Sequence, residues 1–148
     1  MATKLLNEDG IGQIEDVFNQ LQEPVEVLFF GRKAGCDYCE DTLQLVTEVV
    51  DLNDNLGLST YDLDEDQAIA QQYRVDKAPG LVIAGRDGDQ ILDFGIRYAG
   101  IPSGHEFGSL IHDLILVSGR QSGLGEKTRQ FLNGLTKPVH LQVFVTPT

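Results

Sequence analysis

The sequence predicts an α/β domain: a mixed, mostly parallel sheet flanked by helices on both faces, with one extra helix in front. Three observations carry that expectation. Short apolar runs alternate with amphipathic stretches of helical period, a turn-rich tripeptide splits one apolar region into a hairpin, and a 41% hydrophobic content over 148 residues is enough for one conventional core.

Ile11, Ile14, Phe18 and Leu21 recur at helical spacing behind two candidate caps, Asn7 and Asp9, so a helix opens the chain and Pro24 stops it. Val25-Glu26-Val27-Leu28-Phe29-Phe30, bounded by Pro24 and Gly31, suits a central strand buried on both faces. From Asp37 onward Leu43, Val46 and Val50 share a face, which predicts a helix beginning at a cysteine pair, with Cys36 at or near its N-terminus. A strand over 58–63 and a short helix over 65–73 follow. After Pro79, Leu81-Val82-Ile83-Ala84 and Ile91-Leu92-Asp93-Phe94 form a hairpin around Arg86-Asp87-Gly88. A helix over 103–117, with Phe107, Leu110, Ile111 and Leu114 inward, closes the unit. Strand, helix, strand, helix, hairpin, helix is the order of the thioredoxin fold, here with an additional N-terminal helix.

Residues 118–125 have linker composition, and a further helix (126–135) and strand (139–145) come after them. Pro138-Val139-His140-Leu141-Gln142-Val143-Phe144 repeats the spacing of Pro24-Val25-Glu26-Val27-Leu28-Phe29-Phe30 and ends where a second cysteine pair would be expected. The expected division is therefore a thioredoxin-like domain over 1–118, then a linker with the first helix and strand of an incomplete second unit over 119–148. A strand without its own sheet is expected to add to the first unit's sheet, to pair with a second copy in a homodimer, or to be covered by neighbours.

Eleven Lys plus Arg against 23 Asp plus Glu give a formal net charge of −12. Such a field repels nucleic acid and anionic lipid, so neither is an expected partner. The N-terminal stretch turns acidic after Leu5 and Leu6, and no apolar run approaches the ~20 residues of a membrane span, which points to a cytoplasmic protein.

The chain has two cysteines, Cys36 and Cys39, too close together to staple a long loop, so their value is chemical. A thiolate is the attacking species in disulfide exchange, and a free thiol with a pKa of about 8.5 is mostly protonated at neutral pH. A helix N-terminus favours the anion, which makes Cys36 the expected nucleophile and Cys39 the resolving thiol. Arg32 and Lys33 add positive potential nearby while Asp37 and Glu40 oppose it. Zinc is the competing use of a Cys-x-x-Cys, but His105, His112 and His140 lack the paired spacing of a structural site, and no metal is expected. The acidic run Asp62-Leu63-Asp64-Glu65-Asp66 reads as a solvated helix start.

Four segments carry a family resemblance: Cys36-Asp37-Tyr38-Cys39, Tyr73-Arg74-Val75-Asp76-Lys77-Ala78-Pro79, the run from Phe94 to Phe107, and the terminal Val143-Phe144-Val145-Thr146-Pro147-Thr148. Together they resemble the glutaredoxin-like protein disulfide oxidoreductases, in which two thioredoxin folds lie in tandem. The resemblance implies reduction, oxidation or isomerisation of protein disulfides as part of cell redox homeostasis, with a thioredoxin-reductase-like flavoprotein as electron donor. It places a cis proline at Pro79 facing the cysteines and makes Ala78, Pro79 and Tyr38 the candidate substrate contacts. The alternative is an electron-relay or docking module with little activity alone. Phe30 and Gly35 stand where thioredoxins carry a buried Asp and a Trp, and Gly100-Ile101-Pro102 does not reproduce the glutathione-holding segment of glutaredoxins. No resident cofactor is expected.

Overall fold

The computed structural model describes residues 4–146; residues 1–3, and the Pro147 and Thr148 that complete the terminal signature, lie outside it. Helix α1 (Glu8–Phe18) starts where the Asn7 side chain accepts the Gly10 N–H at 2.7 Å, which decides between the two candidate caps. It ends at Phe18, before Leu21 and well short of Pro24. Strand β1 (Val25–Gly31), helix α2 (Cys39–Val50), strand β2 (Leu56–Asp62), helix α3 (Gln67–Gln72), strands β3 (Gly80–Asp87) and β4 (Gln90–Ala99), and helix α4 (His105–Ser118) follow in the expected order.

The sheet order is β2-β1-β3-β4. Only β1 and β2 are parallel; β1–β3 and β3–β4 are antiparallel, which corrects the expectation of a mostly parallel sheet. The reason lies in the entry to β3. Gly80 pairs with Phe30, so β3 begins at the end of the sheet where β1 finishes and must run the other way.

Strand β1 is apolar along its length because both faces are covered. Val25, Val27 and Phe29 pack with Ile14 and Phe18 of α1, Val46 and Val49 of α2, and Leu110 and Leu114 of α4. Leu28 and Phe30 face the other way, against Ala70 of α3, Tyr73, Val82 and Ala84. Burying each such side chain stabilises the fold by roughly 1.5–3 kcal/mol, so this strand is the thermodynamic centre. Its one charged residue, Glu26, is buried as well. Ser59 Oγ donates to its carboxylate at 2.7 Å and Arg86 Nη1 at 3.0 Å, which meets the need of a buried charge for a partner. The same ion pair keeps Arg86 within β3, and the hairpin turns at Gly88-Asp89 rather than at Arg86-Asp87-Gly88.

Helix α4 ends in a Schellman motif: Gly119 is its C-cap, Arg120 N–H donates to Val117 O, and Gln121 N–H donates to Leu116 O. Arg120 has φ 53, the left-handed conformation that glycine adopts most cheaply. Its side chain compensates. Nη1 donates to Val117 O, Nη2 donates to Pro24 O and Arg86 O, and the guanidinium lies 5.9 Å from the Phe94 ring centroid. The segment expected to be linker from 118 onward is thus structured through Gln121. Ser118, fully buried, accepts from Gln22 N–H and donates to Glu23 O, tying α4 to the loop before β1.

Helix α5 (Glu126–Asn133) is exposed throughout. The strand expected over 139–145 does not form: this segment carries no strand and is exposed, Leu141, Val143 and Phe144 at 84–89%. A strand exists only through a partner's ladder hydrogen bonds, and both open sheet edges leave this segment unpaired.

Candidate active site

The C-terminal ends of β1, β2 and β4 and the start of β3 meet at one end of the sheet, as the pairs Gly31–Asp62, Phe30–Gly80 and Gly80–Ala99 require. Cys36, Tyr38, Cys39, Ala78 and Pro79 lie on the segments that leave or enter this end. Cys36 and Cys39 are joined by a disulfide with their Cα atoms 5.5 Å apart. Cys39 is the first residue of α2 and is buried at 7% exposure; Cys36 is half-buried and lies before the helix cap, Tyr38. The helix therefore starts later than a cap at Cys36 would have it. Tyr38 O, which accepts both the Thr42 N–H (2.9 Å) and the Thr42 hydroxyl (2.6 Å), fixes that start. Cys36 approaches the positive end of α2 from outside rather than capping it.

Gly31 brings the β1 end close beneath the pair: a Cβ there would sit 3.6 Å from Cys39 Sγ and 2.8 Å from the Phe29 ring. Only glycine leaves that room. Ala78 packs against the same apolar cluster as Cys36 and Cys39, and the Ala78–Pro79 bond is cis. Pro79 is buried and its carbonyl accepts the Gly100 N–H at 2.9 Å, whereas Ala78 is half-exposed and has no backbone partner in the turns around it among the described residues. Tyr38 is 58% exposed beside the disulfide.

The acidic run after β2 has a role that its sequence pattern does not reveal. Asp62 accepts backbone N–H groups from Lys33 (3.2 Å), Asp64 (2.9 Å) and Glu65 (3.2 Å), which, led by the Asp64 bond, holds its carboxyl below the ordinary range. Arg32 pairs with Asp64 and Lys33 with Glu65. The segment leading to Cys36 is thus fastened to the end of β2, and the two cations expected to favour the Cys36 thiolate are engaged by carboxylates. The segments 62–65 and 32–36 lie too far apart in sequence for pattern reading to connect them.

Of the remaining candidates, His105 opens α4 exposed, His112 and His140 are exposed on other segments, and no group of three or more His, Cys, Asp or Glu among the described residues is placed to hold a metal. Tyr98 donates to Asp113 at 2.5 Å, joining β4 to α4; burial, then that bond, pushes the phenol far above its usual range.

No known family profile matches the chain. Curated relatives from Staphylococcus epidermidis and Staphylococcus aureus, the F component of alkyl hydroperoxide reductase in each, are 25% and 26% identical over 144 residues. They align with 97% of this chain, which spans only 25% of their own length. Among solved structures, a protein disulfide oxidoreductase from Aeropyrum pernix K1 superposes with a TM-score of 0.75 at 27% identity, covering 87% of this chain and 55% of that one. The NTD_N/C domain of alkylhydroperoxide reductase AhpF from Enterococcus faecalis gives 0.77 at 26% identity, over 89% and 62%. The chain has a thioredoxin fold. It resembles protein disulfide oxidoreductases and this AhpF domain over most of its length, in keeping with its four signature segments. In this thioredoxin-fold chain the Cys-x-x-Cys disulfide stands at the end of the sheet where β1 gives way to α2, an oxidoreductase arrangement with one half-buried and one buried cysteine. No helix among the described residues is long and apolar enough to cross a membrane.

Proposed function

We propose that the chain exchanges disulfides with other proteins through Cys36 and Cys39. In the reducing direction the Cys36 thiolate attacks a substrate disulfide, and one substrate sulfur leaves and takes up a proton. Cys39 then attacks the Cys36 sulfur of the mixed disulfide, which releases the second substrate thiol and leaves Cys36–Cys39 oxidised. The observation that carries this reading is the asymmetry of the pair, Cys36 accessible and Cys39 covered at the start of the helix. Half-exposed Ala78, with peptide groups unpaired in the turns around it among the described residues, supports docking of an extended substrate segment by strand-like hydrogen bonds; exposed Tyr38 supplies an apolar wall, and buried Pro79 fixes the cis turn that presents Ala78.

The test is reduction of insulin disulfides by dithiothreitol with and without the protein. Acceleration that is lost in Cys36→Ser supports the proposal, and a rate equal to background overturns it. The similarity to AhpF of alkyl hydroperoxide reductase favours one second reading, a relay that carries electron pairs between a flavoprotein and a peroxide-reducing partner. Slow insulin reduction combined with rapid reoxidation by such a partner would select it. On either reading residues 126–146 belong to a second unit: α5 and the 139–146 segment expose Phe131, Leu141, Val143 and Phe144, and an exposed groove lined by Phe94, Ile96 and Leu116 on the first unit offers apolar surface in turn. A homodimer formed through the same segment would be concentration-dependent in sedimentation.

A further inference from the structure

The end of the sheet that carries the cysteines is electrically divided. On the β2 side stand Asp62, Asp64, Glu65 and Asp66, with Arg32 and Lys33 engaged among them. On the β4 side, next to the Ala78–Pro79 turn, a groove of about 180 Å³ is lined by Arg74, Val75, Asp76, Lys77, Arg97, Tyr98 and Ala99. Three of the chain's eleven Lys and Arg thus converge, against one carboxylate, Asp76, on one small groove in a molecule of charge −12. They are not equivalent. Arg97 is fixed: it donates to both Asp93 oxygens (2.9 and 2.7 Å) and to Tyr73 O (2.8 Å). Among the described residues Lys77 pairs only with its exposed neighbour Asp76, a contact that solvent makes easily exchangeable. Arg74 makes no hydrogen bond or ion pair through its side chain among the described residues.

Arg74 also occupies an unfavourable backbone position. It follows the α3 C-cap, Tyr73, in a Schellman motif (Arg74 N–H to Gln71 O, Val75 N–H to Ala70 O) with φ 55. Glycine is the cheap residue there, by roughly 1 kcal/mol. Arg120 holds the same position after α4 and offsets the strain through three side-chain hydrogen bonds; Arg74 has none among the described residues. Within the described residues Arg74 has only a through-space attraction to Asp93, whose oxygens Arg97 already holds, so its strained position on the groove wall beside the Ala78–Pro79 turn leaves its guanidinium's donors for an outside group.

We propose that this groove is a specificity subsite for an acidic side chain of the substrate peptide, recognised by Arg74 and Lys77 while the peptide lies along Ala78. The acidic run on the β2 side repels the same charge, so the peptide is oriented as well as selected. This rests on the disulfide-exchange reading, and the experiment separates the two. Two disulfide peptides of equal length, one with a glutamate near the cystine and one with glutamine there, are compared as substrates under dithiothreitol turnover, and as fluorescent ligands of the Cys36→Ser/Cys39→Ser protein. The glutamate peptide is expected to be favoured about threefold in kcat/KM and in affinity at low ionic strength, the preference shrinking with salt. That outcome runs against the overall charge, which by itself would disfavour the acidic peptide. Arg74→Gly combined with Lys77→Gln should bring the ratio to one or below, while Arg74→Gly alone holds or raises the melting temperature because it relieves the left-handed backbone. Equal or reversed preference in the unmodified protein, or a preference that survives the double substitution, overturns the subsite. If neither peptide is turned over, the exchange reading falls, and the binding ratio still decides the groove.

Discussion

Arg120 offers a quantitative test of where the first unit ends. Arg120→Ala removes three hydrogen bonds from a charged donor and a cation–π contact but keeps the left-handed backbone. Bonds of that kind are worth about 1.5–3 kcal/mol each when a group is left wholly unsatisfied. Here the loss is partial, because Pro24 O still accepts the Arg86 N–H and Val117 O still accepts the residue 120 N–H. The expected destabilisation is about 2 kcal/mol, read in urea unfolding as a lower midpoint at unchanged slope. Arg120→Gly should recover about 1 kcal/mol of it by relieving the backbone. A chain cut after Ser118 should lose at least as much as Arg120→Ala, since it also gives up the Gln121 N–H to Leu116 O bond, while a chain cut after Gln121 keeps every one of these contacts. Equal stability of the two truncations would refute the reasoning and return the boundary to Ser118.

Three further outcomes rest on the same geometry. In reduced protein at mildly acidic pH, alkylation should label Cys36 before Cys39, and Cys39→Ser should accumulate mixed disulfides with substrate; preferential labelling of Cys39 would reverse the assigned roles. Tyr98 has a folded pKa raised above its unfolded value, so its contribution is complete below about pH 10 and is lost as pH rises beyond it. Tyr98→Phe should flatten that alkaline decline in the oxidised protein while costing about 1 kcal/mol at neutral pH, and an unchanged decline would show that other groups cause it. Asp62 has a lowered pKa, so its hold on the Lys33 N–H persists above the usual carboxylate range and is lost as pH falls through the folded value. Asp62→Ala should accelerate amide hydrogen exchange over 32–35 at neutral pH, and protection equal to the unmodified chain would show that the ion pairs alone hold this segment.

The order of elements was legible because each has a clean period and a distinct boundary: β1 between Pro24 and Gly31, α2 through Leu43, Val46 and Val50, and the hairpin through the two apolar runs 81–84 and 91–94, although its turn lies at Gly88-Asp89. Cys39 is the more buried of the pair as expected, but the expected reason fails, because Cys36 lies before the Tyr38 cap instead of capping α2. What pattern reading could not supply was set by contacts distant in sequence. The direction of β3 depends on Phe30 meeting Gly80, the hairpin's extra residues on Arg86 meeting Glu26, and the extension past Ser118 on Arg120 reaching Pro24. The acidic run looked like a solvated helix start because Asp62 finds its donor at Lys33, 29 residues away. The 139–145 segment has strand-like alternation, yet alternation only proposes a strand and a neighbouring ladder must complete it.

Buried Glu26 with its partners Ser59 and Arg86, the Ser118 staple and the Arg120 anchor all gather at the end of the sheet away from the cysteines. The molecule therefore has a handle and a tip. At the handle, half-buried polar groups from β1, β2, β3 and α4 lock one another around the buried Glu26 and Ser118, so opening there breaks bonds to several elements at once. At the tip, the segment before Cys36 hangs on surface carboxylates that water can replace, so it can loosen and re-form around each incoming chain without disturbing the grip behind it.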